Sequence, residues 1–213
     1  MRNKRHVCIN LKNKIIYNIS NNITEYFIIL IIFLIGIILG IVYVKNMDEK
    51  QEAIVYKYIT DFIETMNNGG KISTFNTFTT SLKNNLIVVS IIGLAGLTVI
   101  GMPILYIIII LKGFSIGYTI SSITSTVGIS KGLKFIFSSF FLQNLIIIPS
   151  LIILTVAGVK LYKNIIKNRR RDNIKNEIIK YIMLTIVVVI LNIIASFIEG
   201  YISSNILIYL YKF

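Results

Sequence analysis

Residues 26–44 read YFIILIIFLIGIILGIVYV, a run without one charged side chain. A helix needs about 20 apolar residues to cross the hydrocarbon core of a bilayer, so this run is long enough to span a membrane. A long basic leader precedes it and no small-residue cleavage site follows it. The run is therefore expected to stay as a membrane anchor and not to be removed as a signal peptide.

The composition of the whole chain agrees with a membrane protein. Of 213 residues, 55% are hydrophobic and 15% are charged, and the mean hydropathy is +0.78. Soluble domains carry about 25% charged residues. The charges fall in blocks that long apolar runs separate, which predicts an all-α, polytopic helical membrane protein.

Four further apolar segments qualify as spans by the same length criterion. Pro103 is expected to kink the first of them, and Pro149 lies inside the third. The second is the weakest, because Ser, Thr and Gly are frequent in it, and it suits a helix buried among other helices. The four segments are Leu86–Leu111, Phe114–Ile129, Phe140–Leu161 and Tyr181–Ile198.

The net charge of +13 sets the expected orientation. Most of the excess lies in the tail 1–25 and the loop 162–180, which flank apolar runs as the positive-inside rule predicts for cytoplasmic segments. This distribution argues against nucleic-acid binding. Both blocks lie inside only if four spans separate them, so five spans are predicted, with the N-terminus inside and the C-terminus outside. A re-entrant hairpin over 113–140 remains an alternative, since it would bring Lys131 and Lys134 inside.

The predicted organisation is a cytoplasmic tail 1–25 followed by one membrane domain, 26–213. Its outer loop, 45–85, contains apolar residues at helical spacing from Glu52 to Met66, which predicts an amphipathic helix ended by Asn67–Gly70. A second apolar stripe leads towards Asn84 and is expected to lie at the outer interface. We take these two stripes as the hypothetical partner-binding surface: Val55, Ile59, Phe62, Ile63, Met66, Phe75 and Phe78.

The sequence offers no convincing catalytic or metal site, and no cofactor is expected. His6 and Cys8 are two possible metal ligands in the tail, whereas a closed site needs about four. Asp61 and Glu64 share one face of the amphipathic helix and are expected to be solvated. Glu199 follows the last span and is predicted to lie at the interface, without a basic partner inside the bilayer.

Glycines spaced four apart indicate close helix packing. Gly36 and Gly40 lie in the first span, and Gly113 and Gly117 open the third. Such pairs let two helix backbones approach each other. They favour a compact bundle, and contacts within one chain or between copies in a homo-oligomer are both open.

The stretch from Asn84 to Lys163 resembles the core of the stage II sporulation protein M family. Asn84 and Asn85 precede a span with Gly96 and Gly101. Residues 112–117, KGFSIG, look like the family's polar-Gly-Phe-x-x-Gly turn between spans, and residues 142–149, LQNLIIIP, look like its late amide- and proline-containing motif. The order, spacing and five-span topology also match the family.

One departure from the wider family limits what the resemblance implies. Gln143 stands where many members have histidine, and Ile147 stands where they have an acid before Pro149. Intramembrane metal or acid chemistry therefore does not carry over to this chain. Gln143, Asn144 and Pro149, with the Gly113–Gly117 turn, are instead expected to maintain the fold through interhelical hydrogen bonds and packing.

The resemblance implies a role in engulfment during endospore formation. Such a protein would be a scaffold, not a hydrolase, that localises the sporulation cell-wall enzymes D and P for peptidoglycan degradation. Its place would be the septal or engulfing mother-cell membrane of a spore-forming bacterium. The alternative is a transporter or permease subunit for a small polar solute. A transporter predicts a water-lined cavity reaching Gln143 and Asn144, whereas a scaffold predicts a packed interior and an outer surface patch.

Overall fold

The computed structural model describes residues 22–67, 74–98, 100–167 and 171–203. They form seven helices, and two π-helical turns, Phe137–Phe141 and Ile198–Ser203, lie before the sixth helix and after the seventh. The helices are α1 (Ile23–Lys45), α2 (Glu49–Asn67), α3 (Thr74–Gly96), α4 (Gly101–Val127), α5 (Ile129–Ile136), α6 (Leu142–Lys167) and α7 (Arg171–Phe197).

Five of these helices, α1, α3, α4, α6 and α7, are long and apolar enough to cross a membrane. This confirms the predicted polytopic helical architecture and the number of spans. One ion pair and one contact between aromatic rings lie at opposite ends of the bundle. Lys163 Nζ lies 2.9 Å from Glu25 Oε1 at one end, and the rings of Phe62 and Phe135 meet edge-to-face at 6.3 Å at the other.

The most extensive helix contact joins α1 and α4, which run parallel. A Cβ at Gly36 would collide with the carbonyl oxygen of Ile110, and a Cβ at Gly113 would collide with that of Phe33. Gly40 and Gly117 meet the facing backbone in the same way. The two glycine pairs identified in the sequence therefore face each other within one chain, and the helices touch backbone to backbone.

The other spans enclose an apolar core. Ile92 of α3, Leu105 and Ile109 of α4 and Leu154 of α6 are all at most 1% exposed. α7 closes this core from the side, where the side chain of Tyr181 is buried and its hydroxyl donates to the carbonyl oxygen of Ile92 at 2.9 Å. Gly96 leaves the space for that hydroxyl, because a Cβ there would overlap it.

The buried tyrosine gives a first test of the packing. Tyr181→Phe is expected to lower the free energy of unfolding by about 0.5–1.5 kcal/mol, since it removes the buried hydrogen bond from the hydroxyl to the carbonyl oxygen of Ile92. Thermal unfolding of the purified chain in detergent measures this. Tyr43→Phe is the matched control, because Tyr43 contacts Phe114 and Tyr118 through its ring alone and should stay near the wild-type value.

The predicted bounds of the second and third spans are wrong. The segment Leu86–Leu111 straddles a break, since α3 ends at Gly96 and α4 begins at Gly101. The amide of Thr98 and its hydroxyl both bond the carbonyl oxygen of Ala95, at 3.0 and 2.9 Å, which closes the last turn of α3. The second apolar stripe of the outer loop, including Phe75 and Phe78, is thus the first part of span α3.

Two expectations for the third span change with these bounds. Pro103 kinks nothing, because it lies in the first turn of α4, where an amide has no helical partner to lose. Residues 112–117 form no turn between spans but lie in the middle of α4. The continuous helix also leaves no break for a re-entrant hairpin that starts at residue 113.

The reversal comes at Gly128, with φ +85°, a conformation that suits glycine. α4 has 27 residues and is about 40 Å long, longer than the hydrocarbon core of about 30 Å. Its Ser- and Thr-rich end, α5 and α2 therefore form a projection at one end of the bundle.

The orientation of this projection is a prediction that labelling can check. We expect the end with Ser130 outside and the end with Lys175 in the cytoplasm, following the positive-inside rule. In a Cys8→Ser background, Ser130→Cys should react with an impermeant maleimide on intact cells. Lys175→Cys should react only after permeabilisation, and the reverse pattern would contradict the predicted orientation.

Candidate functional site

A polar pocket of about 410 Å³ lies within the bundle, between α3, α4, α6 and the turn after α7. Its wall holds one ammonium group, one carboxylate, amides and hydroxyls, beside apolar side chains that continue into the core. The polar lining residues are Ser81, Asn84, Asn85, Lys112, Ser115, Gln143 and Glu199.

Hydrogen bonds between α3 and α7 form the outer wall of the pocket. Asn85 Nδ2 donates to Ser81 Oγ at 3.2 Å, and Ser81 Oγ lies 3.2 Å from Ser196 Oγ. The carboxylate of Glu199 accepts hydrogen bonds from the side chains of Ser81 and Gln143. The network thus joins three spans at one level and holds Glu199 towards the pocket.

Lys112 provides the opposite charge at the same site. It attracts Glu199 electrostatically across the pocket. Gly36, near the middle of α1, contacts Ile110 and Phe114 of α4, so Lys112 between them lies near the middle of the membrane. A charged side chain at that depth is costly unless another charge or polar groups surround it.

The two amides of the LQNLIIIP motif have different environments. Asn144 is buried and donates to the carbonyl oxygen of Phe140 at 2.8 Å, a bond to the π-helical turn that directly precedes α6. Gln143 is 7% exposed and lines the pocket, and its Oε1 atom has no hydrogen-bond partner among the residues that the structure describes. Pro149 lies inside α6 and outside the pocket. Gln143 is therefore the motif residue placed at the site.

Most side chains of the predicted partner-binding stripe on α2 are partly covered by other parts of the same chain. Val55, Ile59 and Ile63 are half-buried, and Phe62 contacts Phe135. The side chain of Met66 lies outside the described residues. The apolar side chains that α2 exposes most are Ile54, Tyr56 and Tyr58, at 69, 55 and 76%.

The two phenylalanines of the second stripe separate. Phe75 is exposed, whereas Phe78 packs against the rings of Phe197 and Tyr201.

Asp61 and Glu64 are exposed on α2. His6 and Cys8 lie outside the described residues.

The pairing of Lys112 with Glu199 escaped the sequence analysis for a specific reason. Dividing the spans at Lys112 and Gly113 placed this lysine in a loop, where a charge needs no partner. A signal was present, because Lys112 is the one charged residue between Lys83 and Lys131. An isolated charge in so long an apolar region indicates a buried polar contact.

The chain is similar to other proteins over most of its length. The family model described as stage II sporulation protein M matches residues 29–204, which include most of α1 and the whole of the other four spans. An uncharacterized protein of Methanocaldococcus jannaschii is 29% identical over 185 residues, covering 85% of this chain and 94% of that protein. No solved structure matches the chain.

Proposed function

Because the chain belongs to the stage II sporulation protein M family, we propose that it is a non-catalytic membrane scaffold. In this proposal it localises peptidoglycan-degrading enzymes at the septum during engulfment in endospore formation. The sporulation enzymes D and P are the partners that the family resemblance implies. The observation that carries the proposal is the helical projection at one end of the packed bundle, and with the expected orientation this projection lies outside the membrane, beside the wall.

The rigid connection of this projection to the membrane supports a scaffold. α4 continues from its backbone contact with α1 through the membrane into the projection without a break. A partner held on the projection is thus fixed relative to the bilayer. The exposed apolar side chains of α2, Ile54 and Tyr58, lie four apart and share one helix face.

The face formed by Ile54 and Tyr58 replaces the half-buried stripe as the proposed docking surface. We expect the tagged full-length chain, purified from membranes of sporulating cells, to retain enzymes D and P. Ile54→Ser with Tyr58→Ser should reduce the amount retained about tenfold, because a loss of about 1.4 kcal/mol weakens binding by that factor.

Glu52→Ser is the matched control, since Glu52 is exposed on the opposite side of α2. It should retain both enzymes. If the double serine variant retains them equally, the docking surface is elsewhere. If the unmodified chain retains neither enzyme while folded in the membrane, the scaffold proposal fails.

The polar pocket is the observation that favours the second candidate, a transporter or permease subunit for a small polar solute. The pocket reaches Gln143 but not Asn144, whereas that function predicts a cavity that reaches both. Beyond the end of the pocket nearest to the turn between α3 and α4, however, lie the fully buried side chains of Ile92, Leu105 and Ile109. In a Cys8→Ser background, Ser115→Cys should therefore react with a small charged thiol reagent from at most one side of the membrane, whereas reaction from both sides would support transport.

A further inference from the structure

α3 is the least apolar of the five spans, and yet one of its faces is not covered by any other described helix. Its most apolar stretch of 18 residues has a mean hydropathy of 1.3, against 3.3 for that of α1. On that face Lys83, Asn84 and Ser90 are exposed, and Ser115 of α4 is exposed beside them. We call these four residues and Lys112 the α3–α4 patch. The polar pocket opens onto this patch, since Asn84, Lys112 and Ser115 belong to both.

The patch lies deep in the membrane, not at its edge. α3 and α4 run antiparallel from a short turn, and Asn84 is 12 residues before Gly96 while Lys112 is 11 residues after Gly101. Asn84 is thus level with Lys112, near the middle of the bilayer. Lys83 is nine residues from the start of α3 at Thr74, about 13 Å along the helix, which is farther than its side chain reaches.

Exposure to lipid at this depth is unfavourable for the patch. Lipid tails offer no hydrogen bonds, and a lysine at the centre of a span costs about 2.5–3.5 kcal/mol on insertion scales. The exposed side chains elsewhere at this depth are apolar. α1 exposes Leu34 and Ile38, and α7 exposes Ile186 and Ile190.

We propose that the α3–α4 patch binds a transmembrane helix of a partner protein that carries a carboxyl or amide side chain at mid-depth. This inference deepens the scaffold function and rests on it. The partner's oxygen would accept hydrogen bonds from Lys83 or Lys112 and from Asn84. An amide of the partner that enters the pocket would also donate to Oε1 of Gln143, a buried acceptor without a hydrogen-bond partner in the described part of the chain.

Charge excludes a second copy of the chain as the favoured occupant. A two-fold dimer brings the same patch against itself, so that Lys83 would face Lys83 in a medium of low dielectric constant, where repulsion is strong. The exposed charge of the patch is positive. An acidic or amide-bearing helix from another protein complements it.

Photo-crosslinking tests this inference in the intact protein. A diazirine amino acid replaces Ser90 in the full-length chain, or replaces Met183 on the apolar face of α7, which is 64% exposed, as the matched control. In membranes of sporulating cells, Ser90 should give an adduct with another protein, and Met183 should not. The adduct peptide, identified by mass spectrometry, should come from an apolar helix containing Asp, Glu, Asn or Gln.

Charge variants test the chemistry of the contact. Lys83→Glu should reduce the Ser90 adduct at least tenfold, whereas Lys83→Arg should keep it, with both variants present in the membrane at wild-type amounts. An adduct with the chain itself, adducts with lipid alone, an equal adduct at Met183, or no effect of Lys83→Glu would each overturn the inference.

The retention assay separates this inference from the scaffold proposal. If enzymes D and P are retained but no helix is crosslinked to the patch, the scaffold stands and the helix-binding inference fails. If the patch is crosslinked to a polar-bearing helix but neither enzyme is retained, the scaffold proposal fails and the patch remains a helix-binding site.

Discussion

Gly113→Val is expected to abolish the folded bundle or to destabilise it by more than about 3 kcal/mol. The reason is that the first added carbon already overlaps the carbonyl oxygen of Phe33, and it lies within 3.2 Å of the Cα of Gly36. Overpacking against a side chain can be relieved by a rotamer change, but here both sides are backbone. α1 and α4 would have to separate along much of their length.

The temperature at which half of the detergent-solubilised protein loses its monodisperse peak on size exclusion measures this effect. Leu39→Ala is the control, because Leu39 lies in the same part of α1 as Gly36 and Gly40 but is 48% exposed and faces lipid. It removes as many carbon atoms as Gly113→Val adds and should shift the midpoint little. Equal shifts for the two variants would mean that the backbone contact does not hold the bundle.

Lys112→Met and Glu199→Gln are each expected to destabilise the protein strongly, whereas the double variant should be less affected than the two effects summed. Either single change leaves one charge within the membrane without its counterpart across the pocket, and an unpaired charge at that depth is costly. The double change removes both charges, so a favourable coupling of about 1–3 kcal/mol should appear.

A double-mutant cycle of unfolding free energies in detergent measures this coupling. Lys163→Met is the control, because its partner Glu25 lies at the end of the bundle and Lys163 is 50% exposed. Its effect should be at most about 1 kcal/mol. Strictly additive effects of Lys112→Met and Glu199→Gln would show that the two residues do not interact across the pocket.

The sequence predicted the number of spans because hydrophobic length is a property of one segment at a time. It misplaced the second and third spans for the same reason. The apolar run through Gly96, Gly101 and Pro103 contains no charge, so hydropathy alone gave no sign of the turn there. The charge at Lys112 drew the boundary instead, although this lysine lies inside a helix and faces a carboxylate.

The functional surfaces were harder to predict because they depend on which faces the neighbouring helices cover. Periodicity identified the amphipathic character of α2 but not which part of its apolar surface α5 would occupy. The position of Phe62 against Phe135 depends on how α5 folds back after the reversal at Gly128, which the periodicity of a single segment does not determine. Glu199 likewise required the register between α3 and α7, which Ser81 and Ser196 fix.

The contact between α1 and α4 has a consequence for synthesis of the chain. Gly36 and its partner Gly113 are 77 residues apart (113 minus 36). A ribosome adding about 5–20 residues per second makes the second of them roughly 4–15 seconds after the first. During that time α1 must reside in the bilayer without the helix it will pack against. Its most apolar stretch has a mean hydropathy of 3.3, the highest among the five spans. The first of these spans to be made is therefore the one most stable in the bilayer without a packing partner.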